Sequence, residues 1–505
     1  MMKKLITYIL LATVLIVPVS CLDKFPENAV HENSAITTID EANQAAVGIY
    51  SSFLSGALYS GYLTLLPDIQ CDLVYAVNGY TNTFGDIWRW DILATNAQIE
   101  AVYGSLYSVI GNCNFLLDNA KKLAQTLTND TELDRLEMYC GEAYFARALA
   151  YSELIKLYCV DYKSDDDAKN QLGVVLRTKY YEAQPIKRAT LYESYQQVLS
   201  DLDEAAKLLK LDDDFEGEIY GAEYFNEYTV YALRARVALY MRDYKAAVNY
   251  SSKVIDSKKF VLSSTKQYIQ GMSYYDYMWA YDQSTEVIWK VGFTSTNYGG
   301  ALGTVFFNFD YSSYKPDYVP AKWVLDLYGG GSNDLRYSAY FEELPTGHSH
   351  GLVWPLLIKY WGNQALYAEA QLLNVSMPKV FRLSEQYLIR AEAYCQLETP
   401  DYSKASKDLS TLMAARYSTG SATLNAGNAM EIIEEERIKE LYMEGFRLQD
   451  LKRWGKGFER TPQDQSLSNG SSLKVAASNP LFVWPIPQHE LESPGADIEP
   501  NESNR

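Results

Sequence analysis

Gly347-His348-Ser349-His350-Gly351 matches the G-x-S-x-G nucleophile elbow, in which a serine on a strained strand-to-helix turn attacks an acyl carbon. Its surroundings argue against that chemistry. The preceding Phe341 to Thr346 stretch is polar and broken by Pro345, and the only histidine beyond His350 is His489 in the tail. A secreted serine hydrolase using Ser349 is therefore kept only as an alternative. No H-E-x-x-H, Walker A or G-x-G-x-x-G pattern occurs, and four histidines (His31, His348, His350, His489) make a poor basis for catalytic zinc. Asp165 to Asp167, and Asp212 to Asp214 with Glu216 and Glu218, could gather oxygen ligands for calcium, yet neither run has the spaced, glycine-turned pattern of a calcium loop. They read as solvated loops, so no catalytic residue, metal or cofactor is expected.

Aromatic side chains in loops offer a different chemistry. Sugar rings present C–H faces that stack on Trp and Tyr, while neighbouring Asn or Asp takes hydroxyls. Tyr75, Asn78 and Tyr80, followed by Trp88 and Trp90, combine these types on one loop, and in an extended chain Trp88 and Trp90 share a face. Tyr298, Tyr311 and Tyr314 form a second group. Any one of these rings could instead be packing a loop onto the core.

Helical periodicity supplies the elements that must position them. Apolar residues recur three and four apart over Ala35–Ser55, Gln98–Leu127, Thr131–Tyr158, Leu191–Leu209, Tyr228–Asp256, Leu383–Gln396, Tyr402–Tyr417 and Ala429–Trp454. Arg234-Ala235 leads to Asp243-Tyr244-Lys245-Ala246-Ala247, and Arg390-Ala391 leads to Asp401-Tyr402-Ser403-Lys404-Ala405. An Ala-rich helix followed by D-Y-x-x-A is the mechanics of a tetratricopeptide-type pair, with Phe145 to Tyr151 as a third, degenerate example. Leu65–Asn96, Val261–Ser349 and Thr461–Asn504 are loop-rich, and Glu286 to Phe293 alternates like a strand. The expected fold is mainly α, a helix-pair scaffold carrying a loop-rich, partly β binding region.

Charge and composition narrow the partners. Over 505 residues the net charge is -19, which disfavours nucleic acid because phosphate tracking needs a basic face. Tyr, Phe and Trp number 43, 17 and 9, an aromatic excess the fold has to account for. Lys3 and Lys4, the apolar run Leu5 to Val17 and Ser20-Cys21 read as a leader (residues 1–20) that ends at a lipid-modified Cys21. The run is too short to span a bilayer. The five remaining cysteines are odd in number and lack C-x-x-C spacing, so buried thiols are expected rather than a disulfide framework.

Glu436 through Gly455 resembles the E-R-x-x-E-L-x-x-E-G-x-R-x-x-D-L-x-R-W segment of the SusD/RagB-type nutrient-binding outer-membrane lipoproteins. Phe482-Val483-Trp484-Pro485-Ile486-Pro487-Gln488 is similar to that family's closing stretch, with Ser493-Pro494 in place of its usual Asn-Pro. The resemblance implies a SusD-like domain over residues 21–505, with an N-terminal part to about 210 and a C-terminal part from about 220. It also implies attachment to the outer membrane facing the cell exterior, a glycan ligand and a SusC-like TonB-dependent transporter as partner. Family members draw ligand residues from variable loops, so none transfers by motif. Within the late segment, i, i+3 pairs Arg437–Glu440, Glu444–Arg447 and Arg447–Asp450 are expected on one continuous helix, as structural ion pairs rather than an acid/base dyad. The combined expectation is a non-enzymatic lipoprotein that binds a glycan, a neutral one given the negative charge, with a peptide or glycopeptide ligand as the alternative.

Overall fold

The structure is a computed structural model, and it describes residues 35–77, 79, 81–180, 186–209, 222–346, 354–460 and 473–505. Helices dominate it. Ile39–Ser52, Ala97–Leu123, Asp130–Tyr158 and Leu191–Leu208 pack in succession, followed by Glu227–Tyr240, Tyr244–Asp256, Leu383–Gln396 and Tyr402–Arg416. The predicted Tyr228–Asp256 stretch is thus two helices, divided at the D-Y-x-x-A motif. Asp243 and Asp401 are the N-caps of the second helices, their carboxylates accepting from the Ala246 and Lys404 amides at 3.0 Å. The fifth residue of each motif, Ala247 or Ala405, is fully buried, which lets the partner helix approach closely.

Buried ion pairs staple these helices. In the degenerate third pair Arg147 makes a bidentate contact to Asp201 at 2.8 and 2.6 Å, and Arg390 holds Asp408 at 2.8 and 2.7 Å. Tyr151 seals the same helix from inside, its hydroxyl donating to the Arg177 carbonyl at 2.6 Å.

The late segment departs from expectation. It forms two helices, Ala429–Glu440 and Arg447–Trp454, because Met443 and Gly445 take left-handed backbone angles, φ 59° and 83°. A side chain at Gly445 would meet the Leu63 carbonyl oxygen at 2.8 Å, so the break needs glycine. Asp68 caps the second helix from a distant element, accepting from the Gly445 and Arg447 amides at 2.9 and 2.8 Å. None of the three expected i, i+3 pairs forms. Arg437 pairs with Asp450, Arg447 with Asp72 and Glu434, and Glu444 with Lys359 and Arg382. The segment is buried, and its charges meet partners from the rest of the fold as well as others within it, among them the i, i+3 pairs Glu436–Lys439 and Asp450–Arg453.

Strands are short and scattered. Val287–Lys290 pairs antiparallel with Lys379–Arg382, inside the predicted Glu286 to Phe293 stretch, and all four of its residues are buried, where alternation would have exposed two. Val74–Ala76 pairs antiparallel with Tyr318–Pro320. The five cysteines of the described residues are free, and all but Cys140 are buried.

Candidate ligand-binding site

The Val74–Ala76 and Tyr318–Pro320 pair decides which loops meet. With Ala76 opposite Tyr318, the segment after the first strand and the segment before the second leave from the same end. Asp317, 1% exposed, ties them together. Its carboxylate accepts from the Thr81 amide at 2.7 Å and from Asn308 Nδ2 at 2.8 Å, and its carbonyl accepts from the Val77 amide at 2.9 Å.

Beyond Asn308 the chain folds into a tight turn around Asp310. That carboxylate accepts from the Ser312 and Ser313 amides at 3.0 and 2.9 Å, from Ser312 Oγ at 2.6 Å and from Lys315 Nζ at 2.7 Å. Lys315 first, then the serine hydroxyl and amides, hold it well below the usual carboxylate range. The turn thrusts Tyr311 outward with φ 67° and 84% of its surface exposed.

A set of rings gathers around it. Phe309 lies 4.8 Å from Tyr314 and 5.8 Å from Tyr311, centroid to centroid, and Tyr314 lies 6.0 Å from Trp361. Phe307, fully buried, anchors the group from below at 5.1 Å from Trp361. Phe309 and Trp361 are 37% and 43% exposed. The result is a platform of partly exposed aromatic faces edged by hydroxyls of Ser312, Tyr311 and Tyr314. Such a surface can stack flat apolar faces and exchange hydrogen bonds at its rim.

Two of the predicted ligand residues, Tyr311 and Tyr314, belong to this platform. Tyr298 is exposed but sits on a separate turn, where the Gly300 amide donates to Ser60 Oγ at 2.9 Å. Asn78 and Tyr80 lie outside the described residues, as do Cys21, His348, Ser349 and His350 and the acidic group 212–218. Tyr75, Trp88 and Trp90 need correction: they are 3%, 2% and 8% exposed and serve the core. Gly85–Trp88 is a helical turn and Trp90 has φ 60°, so residues two apart no longer share a face. Trp88 belongs to the same buried cluster as Tyr275 and Tyr318, while Trp90 meets Phe458 and Phe482 in a different cluster. Arg460 lies 4.4 Å above the Trp88 ring.

Phe309 and Trp361 escaped the sequence reading. The signal was present in Phe306-Phe307-Asn308-Phe309 and Tyr360-Trp361-Gly362-Asn363, the same mixture of rings with Gly and Asn. Asp165 to Asp167 form the first turn of a short helix capped by Ser164, with Asp166 paired to Lys169. Among the described residues no group of three or more His, Cys, Asp or Glu could hold a metal ion. No helix among them is long and apolar enough to cross a membrane.

Two family descriptions match the chain. One, "starch-binding associating with outer membrane", covers residues 27–239, and that of the SusD family covers residues 371–496. Solved structures share the fold over nearly its whole length. A SusD superfamily protein from Bacteroides thetaiotaomicron is 24% identical with TM-score 0.76, over 92% of this chain and 99% of its own. A putative sugar binding protein from Bacteroides vulgatus is 23% identical with TM-score 0.77, over 94% and 100%. A laminarin-binding SusD-like protein is 19% identical with TM-score 0.65, over 92% and 100%. No curated protein matches the chain. With one family description on the N-terminal helices, another on the segment that contains the split late helix, and a shared fold throughout, the chain belongs to the SusD/RagB family.

Proposed function

We propose that this protein captures a neutral oligo- or polysaccharide on the platform of Phe309, Tyr311, Tyr314 and Trp361, without cleaving it, and passes it to a SusC-like TonB-dependent transporter. The exposed ring set carries this reading. A loop that devotes three backbone and side-chain hydrogen bonds and an ion pair to presenting one largely exposed tyrosine is built for contact. Support comes from the family's starch-binding description and from the laminarin-binding relative. In the same reading residues 1–20 are removed, lipid on Cys21 holds one SusD-like domain of residues 21–505 at the outer membrane, and no cofactor takes part.

A glycan array probed with the full-length mature protein tests the ligand class. Retention on neutral glucans is the expected result; retention only on peptides or glycopeptides would move the ligand class to that alternative. Loss of membrane fractionation in Cys21→Ser checks the anchor, and unchanged fractionation would remove it.

A further inference from the structure

Trp361 has a second environment. It also lines a cavity of about 350 Å³ whose walls include Met272, Asp276, Trp279, Ser338 and Glu342. That volume falls at the lower end of the roughly 300 to 1,000 Å³ found for small-ligand sites. Platform and cavity therefore share a wall.

We propose that this cavity is a second sugar subsite, continuous with the platform, which takes one non-acidic unit of the same glycan and rejects uronate or sulfated units. The proposal rests on the platform reading. Three observations support it. Half-buried Asp276, which accepts from Ser273 Oγ at 2.7 Å, and exposed Glu342 both line the cavity and are in no ion pair among the described residues. Carboxylates left unpaired in a cleft accept sugar hydroxyls readily and repel a second carboxylate or sulfate. Trp279 and Trp361 both line the cavity, giving it an aromatic wall against which the C–H face of a sugar can lie. Finally, burial and then the charge of Glu342 push the Tyr314 hydroxyl upward, which places Glu342 within electrostatic reach of the platform.

Nearby cations do not neutralise the cavity. Lys359 and Lys379 stand 4.2 and 4.6 Å over the Trp279 ring, yet each is matched by its own buried carboxylate, Glu444 or Asp282. The unpaired charge lining the cavity is negative.

The test is calorimetric titration of the full mature chain with neutral starch-type and laminarin-type oligosaccharides and with the same oligomers oxidised to uronates at C6. Wild type should prefer the neutral form by about tenfold or more, and Asp276→Asn with Glu342→Gln should narrow that preference to about threefold or less. If Asp276→Asn disturbs the Tyr274–Tyr281 helix, whose first turn it occupies, the exposed Glu342→Gln alone is read the same way. Equal wild-type affinity for both forms, or a preference unchanged in the variants, overturns the subsite while leaving the platform standing. Binding of no oligomer, or binding indifferent to Tyr311→Ala, removes the platform and the subsite with it.

Discussion

Tyr311 and Trp88 are both large rings in loop-rich sequence, yet truncating them should have opposite consequences. Tyr311 touches little of its own protein, so Tyr311→Ala should leave thermal stability nearly unchanged and weaken glycan binding by about tenfold, on the scale of a contact worth more than about 1 kcal/mol. Trp88→Ala empties a packed site and should lower unfolding free energy by about 3–5 kcal/mol in denaturant titration, leaving the affinity of the folded fraction intact. Equal stability loss in both variants would contradict this division. The tyrosine excess was visible in composition, but the side of the fold each ring would occupy was not. Period-two reasoning failed at Trp88 and Trp90 because a helical turn and one left-handed residue intervene, and neither has a marker among the side chains. Tyr311 and Tyr314 were legible as loop aromatics; their meeting with Trp361 depends on a contact between segments some fifty residues apart.

Elements are held at their ends by residues far away in sequence. Gly445→Ala should destabilise the fold by about 1–3 kcal/mol, because a Cβ there meets the Leu63 carbonyl and φ is positive. Gly455→Ala, also at positive φ but with open space around it, should cost less in the same denaturant titration. Reversal of that order would count against the close approach at Gly445. The glycine of the E-G-x-R motif was in plain view, but its reading as a helix interior ignored the one residue type that marks a helix stop. Glu142 joins two other helices, its carboxylate accepting from the Tyr50 hydroxyl at 2.7 Å. Burial pushes this carboxyl up to about 7 from an ordinary 4.5. Between those values the folded state keeps a proton the unfolded chain has lost, so stability falls as pH rises through the window and levels off above it. Asp68, also raised to about 7 by burial, acts in the same direction. Glu142→Gln keeps the acceptor and removes one titration, so unfolding free energy should fall less steeply between pH 5 and 7. An unchanged slope would exclude Glu142 as a source.

Across the whole molecule, buried charge unites parts that the sequence keeps apart. Both oxygens of Glu440 are engaged, by Arg382 and Arg416 on one and by Arg336 and Arg416 on the other, at 2.7 to 3.0 Å. Burial alone would raise this carboxyl, but Arg416, Arg382 and Arg336 hold it well below the usual range. Glu440→Gln leaves three buried guanidinium groups short of countercharge and should cost about 3–5 kcal/mol in urea unfolding; a loss under about 1 kcal/mol would show the network to be dispensable. At the other end Trp484, fully buried, donates to the Gln70 side chain at 2.7 Å, so the closing stretch seals the N-terminal helices. The helix-pair scaffold was legible because D-Y-x-x-A carries its own cap and its own small residue. The charge network was not, since Arg336, Arg382, Arg416 and Glu440 come from four separate segments and only folding brings them together. On this scaffold the proposed glycan surface is the set of Phe309, Tyr311, Tyr314 and Trp361. Titrating wild type, Tyr311→Ala and Trp361→Ala with a neutral oligosaccharide retained on the array tests it most directly. Binding should be at least about tenfold weaker in each variant, with thermal stability unchanged in Tyr311→Ala; affinity equal to wild type in both would contradict capture on this surface.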